Sequence, residues 1–203
     1  MLLDADDSQL VLLDFQQRLM PAIHDGGAVL SQATRLARIA GLLGVPTWLA
    51  QQNPAGLGPT DPQLRAALPA SQTVVDKHDF SAAQVLRPHL RPPARPAAGN
   101  ARSLPRHLQK PPAAAAPERG TLVLAGCEAH VCLLQTALEL LEDEFEVWVV
   151  TDACGSRTER NRDAAFDRLA GAGVELVTTE MVAFEWLRGH EHPRFREVLA
   201  LIK

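Results

Sequence analysis

Three polar residues each follow an apolar run that predicts a β-strand. Asp14 ends the run QLVLLD, Lys77 comes shortly after TVV, and Cys132 lies one loop beyond TLVLA. Parallel strands place their carboxyl ends at one edge of a sheet, and ligands bind in the crevice outside that edge. A thiol beside a carboxylate and an amine has the groups of an activated nucleophile, for which an electrophilic carbonyl is the natural substrate. The sequence therefore predicts a catalytic site at this edge.

The proton affinities of the three groups predict their roles. An aspartate beside a thiol can accept its proton and later return it to an amine leaving group, and a lysine can keep the aspartate ionised. Cys132 is expected where a loop turns into a helix, and the amides and dipole of a helix N-terminus lower the pKa of a thiol. We therefore predict that Cys132 is a thiolate nucleophile.

Each residue also has an ordinary structural explanation. Cys132 alone would be a small core residue of an apolar helix, Asp14 alone a turn residue and Lys77 alone a solvated charge. Catalysis is favoured only if the fold brings the three together.

Strands and helices alternate in the segments that must position these residues. The predicted strands are 9–14, 45–50, 73–75, 121–125, 145–151 and 174–178. The predicted helices are 29–43, 63–68, 132–141, 160–170, 181–188 and 193–202. This alternation implies right-handed crossovers. It predicts an α/β protein, a three-layer α/β/α fold with a mostly parallel sheet of about six strands.

Length and composition fit a single domain of 203 residues with an ordinary core. The formal net charge of −4 gives no electrostatic reason to expect a nucleic-acid or membrane partner. Three cysteines without a CxxC pair argue against a disulfide framework and a structural metal. Because the acidic N-terminus does not resemble a signal peptide, we expect a cytoplasmic protein.

The segment 87–119 interrupts the alternation of strands and helices. It contains eight prolines and eight alanines in 33 residues, and it carries a local excess of positive charge. With almost no large apolar side chains to bury, it is predicted to be a surface insertion. A basic arm for nucleic acid is the alternative, but the segment has no interleaved aromatic residues.

Four motifs resemble the isochorismatase-like (cysteine hydrolase) family in order and spacing. They are DFQQRL, KHDFSA, GCEAHVCLLQTAL and VVTDACGS. The third is the most specific, because it unites a glycine turn, the cysteine and the following helix. The loop QQNPAGLGPTDP further resembles the isochorismatase-domain hydrolases of undefined substrate.

The resemblance implies a catalytic triad of Asp14, Lys77 and Cys132. It also implies a cis peptide between Cys127 and Glu128, with the backbone amides of Glu128 and Cys132 forming an oxyanion hole. Family members that carry the cysteine cleave amide (C–N) or ester bonds through a thioester, and they often form homo-oligomers. We therefore expect a cysteine-dependent amidohydrolase acting on a small-molecule substrate.

The chain departs from the nicotinamidase pattern at the end of the second strand. Nicotinamidases carry Asp-x-His metal ligands there, whereas this chain has Gln51, Gln52 and Asn53. Neutral amides are poor zinc ligands, so we expect no metal and no cofactor. The candidate substrate-binding residues are Leu19, Gln51, Phe80 and Glu128.

The remaining reactive side chains are interpreted as structural or pocket-lining. These are Cys127, Cys154, His78 and His130, and Gln16 is expected to support the loop that carries Asp14. The alternative function is a non-catalytic or redox-responsive binding protein that retains the hydrolase fold. A nucleotide-binding function is disfavoured because the sequence has neither GxGxxG nor GxxxxGK[ST].

Overall fold

The computed structural model describes residues 1–68, 72–92 and 119–203. In this part of the chain six parallel strands form one sheet. They are β1 (Ser8–Leu13), β2 (Thr47–Gln52), β3 (Val74–Lys77), β4 (Thr121–Cys127), β5 (Glu146–Gly155) and β6 (Glu175–Val177). Their order in the sheet is β3-β2-β1-β4-β5-β6.

Two groups of helices cover the sheet. The helices are α1 (Gly26–Leu43), α2 (Pro54–Leu57), α3 (Pro62–Ala66), α4 (Ala83–Leu90), α5 (Leu134–Glu142), α6 (Glu159–Gly171), α7 (Thr179–Leu187) and α8 (Phe195–Ile202). Helix α1 contacts α3, α7 and α8, whereas α5 contacts α4 and α6. The predicted three-layer α/β/α fold is confirmed.

The central strands are buried along their whole length. Every residue of β1 and of β4 is buried, as expected for parallel strands whose two faces are both covered by helices. Among the few polar residues of these strands, Ser8 accepts a hydrogen bond at 3.0 Å from the indole nitrogen of Trp186. Helix α1 buries a periodic face that includes Leu36 and Ala40, and it ends at Gly44 with a φ of 73°.

The structure corrects the predicted boundaries of the surface insertion. Helix α4 continues to Leu90, so residues 87–90 belong to a helix that buries Leu86 and Leu90. At the other end, the guanidinium of Arg119 donates to the backbone carbonyls of Ala5 and Ser8. The segment 93–118, which carries most of the predicted insertion, lies outside the described residues.

Two further local differences concern short turns. Helix α2 forms in a stretch whose sequence predicts a loop. Before α5, residues Ala129–Leu133 form a π-helical turn that contains Cys132. No helix in the described part of the chain is long and apolar enough to cross a membrane.

The strand order fixes where a ligand site would lie. The chain adds strands on one side of β1 and then, from β4 onward, on the other side. The crevice beyond the carboxyl ends of β1 and β4 is therefore the switch point at which open α/β sheets bind ligands.

Candidate active site

Asp14 is the first residue after β1, at the switch point. Its backbone has a φ of 58°, a left-handed conformation that aspartate tolerates better than most residues. Its N–H donates to the carbonyl of Ala50 at 3.0 Å, and the residue is fully buried. A carboxylate buried to this degree needs a compensating charge.

Lys77, the last residue of β3, supplies that charge. Its Nζ lies 2.8 Å from Oδ2 of Asp14, and at most 1% of either side chain is exposed. Nζ also donates to the carbonyl of Phe80 at 2.9 Å. The two charges form a buried, neutral pair, in which each would be costly to bury without the other.

Cys132 contacts this pair from the π-helical turn after β4. Both Asp14 and Lys77 act on the pKa of its thiol, which places the sulfur beside the pair. Among the described residues neither oxygen of the Asp14 carboxylate has a hydrogen-bond partner, so its close polar contact is the ion pair with Lys77. The structure thus brings together the three residues, which we call the Asp–Lys–Cys cluster.

The prediction of a lowered thiol pKa is wrong. Burial raises the pKa of Cys132 to about 12, and the charge of Asp14 adds to this rise more than Lys77 opposes it. Burial also raises the pKa of Asp14, against the effects of Lys77 and the Cys132 thiol. At neutral pH the sulfur therefore carries its proton, beside a carboxylate that can accept it.

Gln52 was missed as a site residue. Its Oε1 accepts a hydrogen bond from Nζ of Lys77 at 2.6 Å, and its Nε2 donates to the carbonyl of His78 at 2.6 Å. In the parallel register Gln52 pairs with Lys77. The alternation of side chains along a strand, combined with that register, is the signal that could have identified it.

Gln16 joins the ends of β1 and β2, in agreement with its predicted supporting role. Its Nε2 donates to the carbonyls of Gln52 and Gly58 at 3.0 and 2.6 Å, and its Oε1 accepts from the N–H of Gln52 at 2.9 Å. The fully buried Gln16 side chain therefore fixes the loop after Asp14 against the strand end that holds Gln52.

The candidate binding residue Gln51 is engaged in the fold. Its Oε1 accepts from the N–H and hydroxyl of Thr60 at 2.6 and 2.9 Å, and its Nε2 donates to Asp76 at 3.1 Å. Leu19, a second candidate, is half-buried and packs against the core. The third, Phe80, is 55% exposed as a residue, so Phe80 is the most accessible of the three.

The segment between β4 and α5 surrounds the thiol. The peptide bond between Cys127 and Glu128 is cis. The carbonyl of Glu128 accepts from the N–H groups of Val131 and Leu133. The N–H of Cys132 lies between these two donors in the π-helical turn.

Side chains of this segment are tied to the loop after β5. The Glu128 carboxylate accepts from the backbone N–H and from Nε of Arg157, both at 3.0 Å. Nδ1 of His130 lies 3.0 Å from the hydroxyl oxygen of Ser156. These contacts hold Glu128 and His130 in structural roles beside the cluster.

The other two thiols are core residues. Cys127 and Cys154 are free and buried on adjacent strands. Burial raises the pKa of Cys154 to about 12 and that of Cys127 well above its ordinary value. In the described ranges, no group of three or more His, Cys, Asp or Glu side chains is arranged to hold a metal ion.

Comparisons with family models and with individual proteins point to the same family. The model of the isochorismatase domain matches residues 8–181. Isochorismatase domain-containing protein 2A of Mus musculus is 34% identical over 200 residues, which cover 98% of this chain and 84% of that protein.

Two solved structures extend this result. The MAR1 ribonuclease of Caenorhabditis elegans superposes with a TM-score of 0.84 at 30% identity, over 100% of this chain and 92% of that one. The YcaC gene product of Escherichia coli, an octameric hydrolase of unknown specificity, superposes with a TM-score of 0.75 at 25% identity, over 98% and 95% of the two chains. The sequence motifs, the fold and these matches agree, and the chain belongs to the isochorismatase domain family.

Proposed function

We propose that this protein hydrolyses an amide (C–N) bond of a small molecule, with Cys132 as the nucleophile and a thioester as the intermediate. Family membership supports hydrolase activity in general. The observation that carries the finer proposal is the position of the Cys132 thiol beside the buried Asp14–Lys77 pair, whose two charges both act on its pKa. A thiol in contact with a base is the arrangement that nucleophilic catalysis requires.

In the first step the thiol proton moves to Asp14 as Sγ bonds to the substrate carbonyl carbon. This transfer is necessary because the thiol of pKa about 12 is protonated at neutral pH. The carbonyl π electrons move onto oxygen, and we assign its stabilisation to the backbone N–H groups of Glu128 and Cys132. One such donor contributes about 3–4 kcal/mol in a well-measured enzyme.

In the second step the tetrahedral intermediate collapses. The C–N bond breaks, Asp14 donates its proton to the departing amine, and a thioester remains on Cys132. Asp14 then takes a proton from water as the water oxygen attacks the thioester, and the sulfur leaves and recovers that proton. Lys77 keeps Asp14 ionised between these transfers.

We also propose an oligomeric state, a class of partner and a location for this protein. The octameric state of the YcaC gene product supports a homo-oligomer for this chain. We propose a small-molecule substrate rather than a nucleic acid, although the name of the nematode relative refers to ribonuclease, because the chain has a formal net charge of −4. We propose that the protein is located in the cytoplasm.

The test is a screen of small amides, ureido compounds and esters, with ammonia or acid release as the readout. We expect turnover by the native protein, none by Cys132→Ala, and nearly full activity in the matched core variant Cys154→Ala. Unchanged circular dichroism would establish that Cys132→Ala is folded. Hydrolysis retained in Cys132→Ala would exclude the proposed nucleophile.

The same screen tests the alternative function. A redox-responsive binding protein of this fold would keep a reactive Cys132 without turning over any substrate. Rapid, specific modification of Cys132 by iodoacetamide, combined with no release of ammonia from any amide, would favour that alternative.

A further inference from the structure

A cavity of about 360 Å³ lies between the loop after β3 and helix α5. Its lining comprises the four residues 78–81 that follow Lys77, together with Gln84, Gln135 and Glu139. Nζ of Lys77 donates to the carbonyl of Phe80 in the first of these segments. The cavity wall is therefore directly connected to the Asp–Lys–Cys cluster.

Helix α5 relates the same cavity to the nucleophile. Gln135 and Glu139 are four residues apart on α5, a spacing that places them on one helical face. At a rise of about 1.5 Å per residue they lie roughly 6 Å apart along the axis of this helix, which begins two residues after Cys132. A molecule whose carbonyl binds at the thiol would extend its other end along α5 to reach the cavity.

The lining is rich in groups that attract a cation. Asp79 and Glu139 contribute carboxylates, and the side chains of Ser81, Gln84 and Gln135 contribute neutral oxygens. The exposed ring of Phe80 adds an aromatic face, which attracts cations through its quadrupole. Among the described residues that line the cavity, none is Lys or Arg.

The two carboxylates differ in how far they are already neutralised. A guanidinium nitrogen of Arg87 lies 3.8 Å from Glu139, but Arg87 makes its closer contact, at 2.6 Å, with Asp143. The carboxylate of Asp79 has neither an ion pair nor a hydrogen bond with any other described residue. Asp79 is therefore the main charge available to a ligand.

We propose that this cavity is a subsite for an ammonium or guanidinium group at the far end of the amide substrate. The substrate class is then an amide with a cationic tail. This inference rests on the proposed hydrolysis at Cys132 for its link to catalysis. The presence of a cation-binding site in the cavity does not depend on that reaction and can be measured by itself.

The binding test uses two probes of the same shape, propylguanidinium and the neutral propylurea. With ¹⁵N-labelled protein, we expect propylguanidinium to shift the amide resonances of residues 78–84 and 135–139, and propylurea to shift them little. Asp79→Asn should weaken guanidinium binding about two- to fivefold, in line with an exposed ion pair. Glu142→Gln removes the same charge from α5 outside the cavity and should leave binding unchanged.

Equal shifts with both probes, or guanidinium binding that Asp79→Asn leaves unchanged, would overturn the subsite. Asp79 is exposed, so its replacement is expected to leave the fold intact. If Glu142→Gln weakened binding as much as Asp79→Asn, the effect would come from net charge and the proposed location would be wrong.

The proposed connection between the cavity and the Cys132 thiol is tested with two methanethiosulfonates. One carries a cationic trimethylammonioethyl group and the other a neutral hydroxyethyl group. In both reactions Sγ of Cys132 forms a disulfide with the reagent sulfur, and methanesulfinate leaves with the bonding electrons. For each reagent, the rate of modification of Cys132 is divided by its rate with free cysteine. This corrected rate should be several-fold higher for the cationic reagent than for the neutral one. The difference between the two reagents should become smaller in Asp79→Asn.

The resonance titration and the thiol-modification assay distinguish failure of the cation subsite from failure of the proposed nucleophile. A Cys132 that neither reagent modifies would overturn its assignment as the nucleophile, and the resonance titration would then decide the subsite by itself. A reactive Cys132 with no preference for the cation would overturn the subsite and leave the proposed hydrolase intact.

Discussion

The side-chain oxygen of Gln52 lies 2.6 Å from the ammonium nitrogen of Lys77. Asp14 and the carbonyl of Phe80 supply the other close oxygens around that ammonium, at 2.8 and 2.9 Å. Because the amide of Gln52 is neutral, it orients Lys77 without competing with Asp14 for its charge. The neutrality of Gln52 thereby preserves the charge balance on which the proposed reactivity of Cys132 depends.

Gln52→Glu should slow the alkylation of Cys132. The new carboxylate would share the charge of Lys77 and add negative charge beside the thiol, so the thiol pKa would rise. We expect the rate with iodoacetamide at pH 8 to fall about tenfold, the effect of one pKa unit. Gln32→Glu on α1, remote from the site, should leave the rate unchanged, and an unaltered rate in Gln52→Glu would contradict the role given to Gln52.

Asp14→Asn should separate the reactivity of the thiol from catalysis. Asp14 raises the pKa of Cys132 through its charge and its hydrogen bond, so its neutralisation lowers that pKa and leaves Lys77 to stabilise the thiolate. Alkylation near pH 8 should become faster, whereas hydrolysis should be lost with the proton carrier. Slower alkylation in a folded Asp14→Asn would show that the sign of the assigned interaction is wrong.

The pH dependence of the native protein follows from the two raised pKa values. The thiol of Cys132, with a pKa of about 12, should be alkylated with a rate that rises about tenfold per pH unit between about pH 7 and 10. Hydrolysis instead needs an ionised Asp14, so it should decline on the acid side at a pH above that of an ordinary aspartate. An alkylation rate that levels off near pH 8 would contradict the raised thiol pKa.

Lys77→Met should destabilise the fold in a pH-dependent manner. It leaves the carboxylate of Asp14 buried without its partner, which costs about 3–5 kcal/mol. Because the pKa of Asp14 would then rise further, protonation on lowering the pH would restore part of the free energy of unfolding. Urea denaturation should show a larger loss at pH 8 than at pH 5, and the exposed control Lys203→Met should show none at either pH.

Gly126→Ala should disturb the site through the backbone. A Cβ at this position would lie 2.6 Å from the carbonyl oxygen of Leu13, the residue before Asp14. Neither strand can move easily at the centre of the sheet, so we expect a loss of about 2–4 kcal/mol in thermal or urea unfolding. The control Gly41→Ala, whose added Cβ meets nothing within 4 Å in α1, should be neutral or stabilising.

The strand pattern was predictable because burial on both faces requires continuous apolar runs, as in β1 and β4. The helix α1 was predictable from its periodic face and the glycine that follows it. Helix α4 was not, because Pro88 and its neighbours have the composition of a loop and the helix depends on packing Leu86 and Leu90 against the fold.

The members of the Asp–Lys–Cys cluster could be identified from the sequence, but their energetics could not. Strand ends and motif spacing indicated which residues converge. The pKa of Cys132 depends on how deeply the thiol is buried and on its contact with Asp14, both of which are properties of the packed structure. Gln52 was missed for a related reason, since only the register of β2 against β3 distinguishes it from Gln51.

The adjacency of β1 and β4 in the middle of the sheet has a consequence for how the protein loses function. Asp14 and the turn that bears Cys132 follow two strands that are buried along their whole length, where we expect amide hydrogens to exchange by global opening. Heat should therefore abolish the proposed hydrolysis and melt the whole domain at the same temperature, with no folded but inactive form populated between.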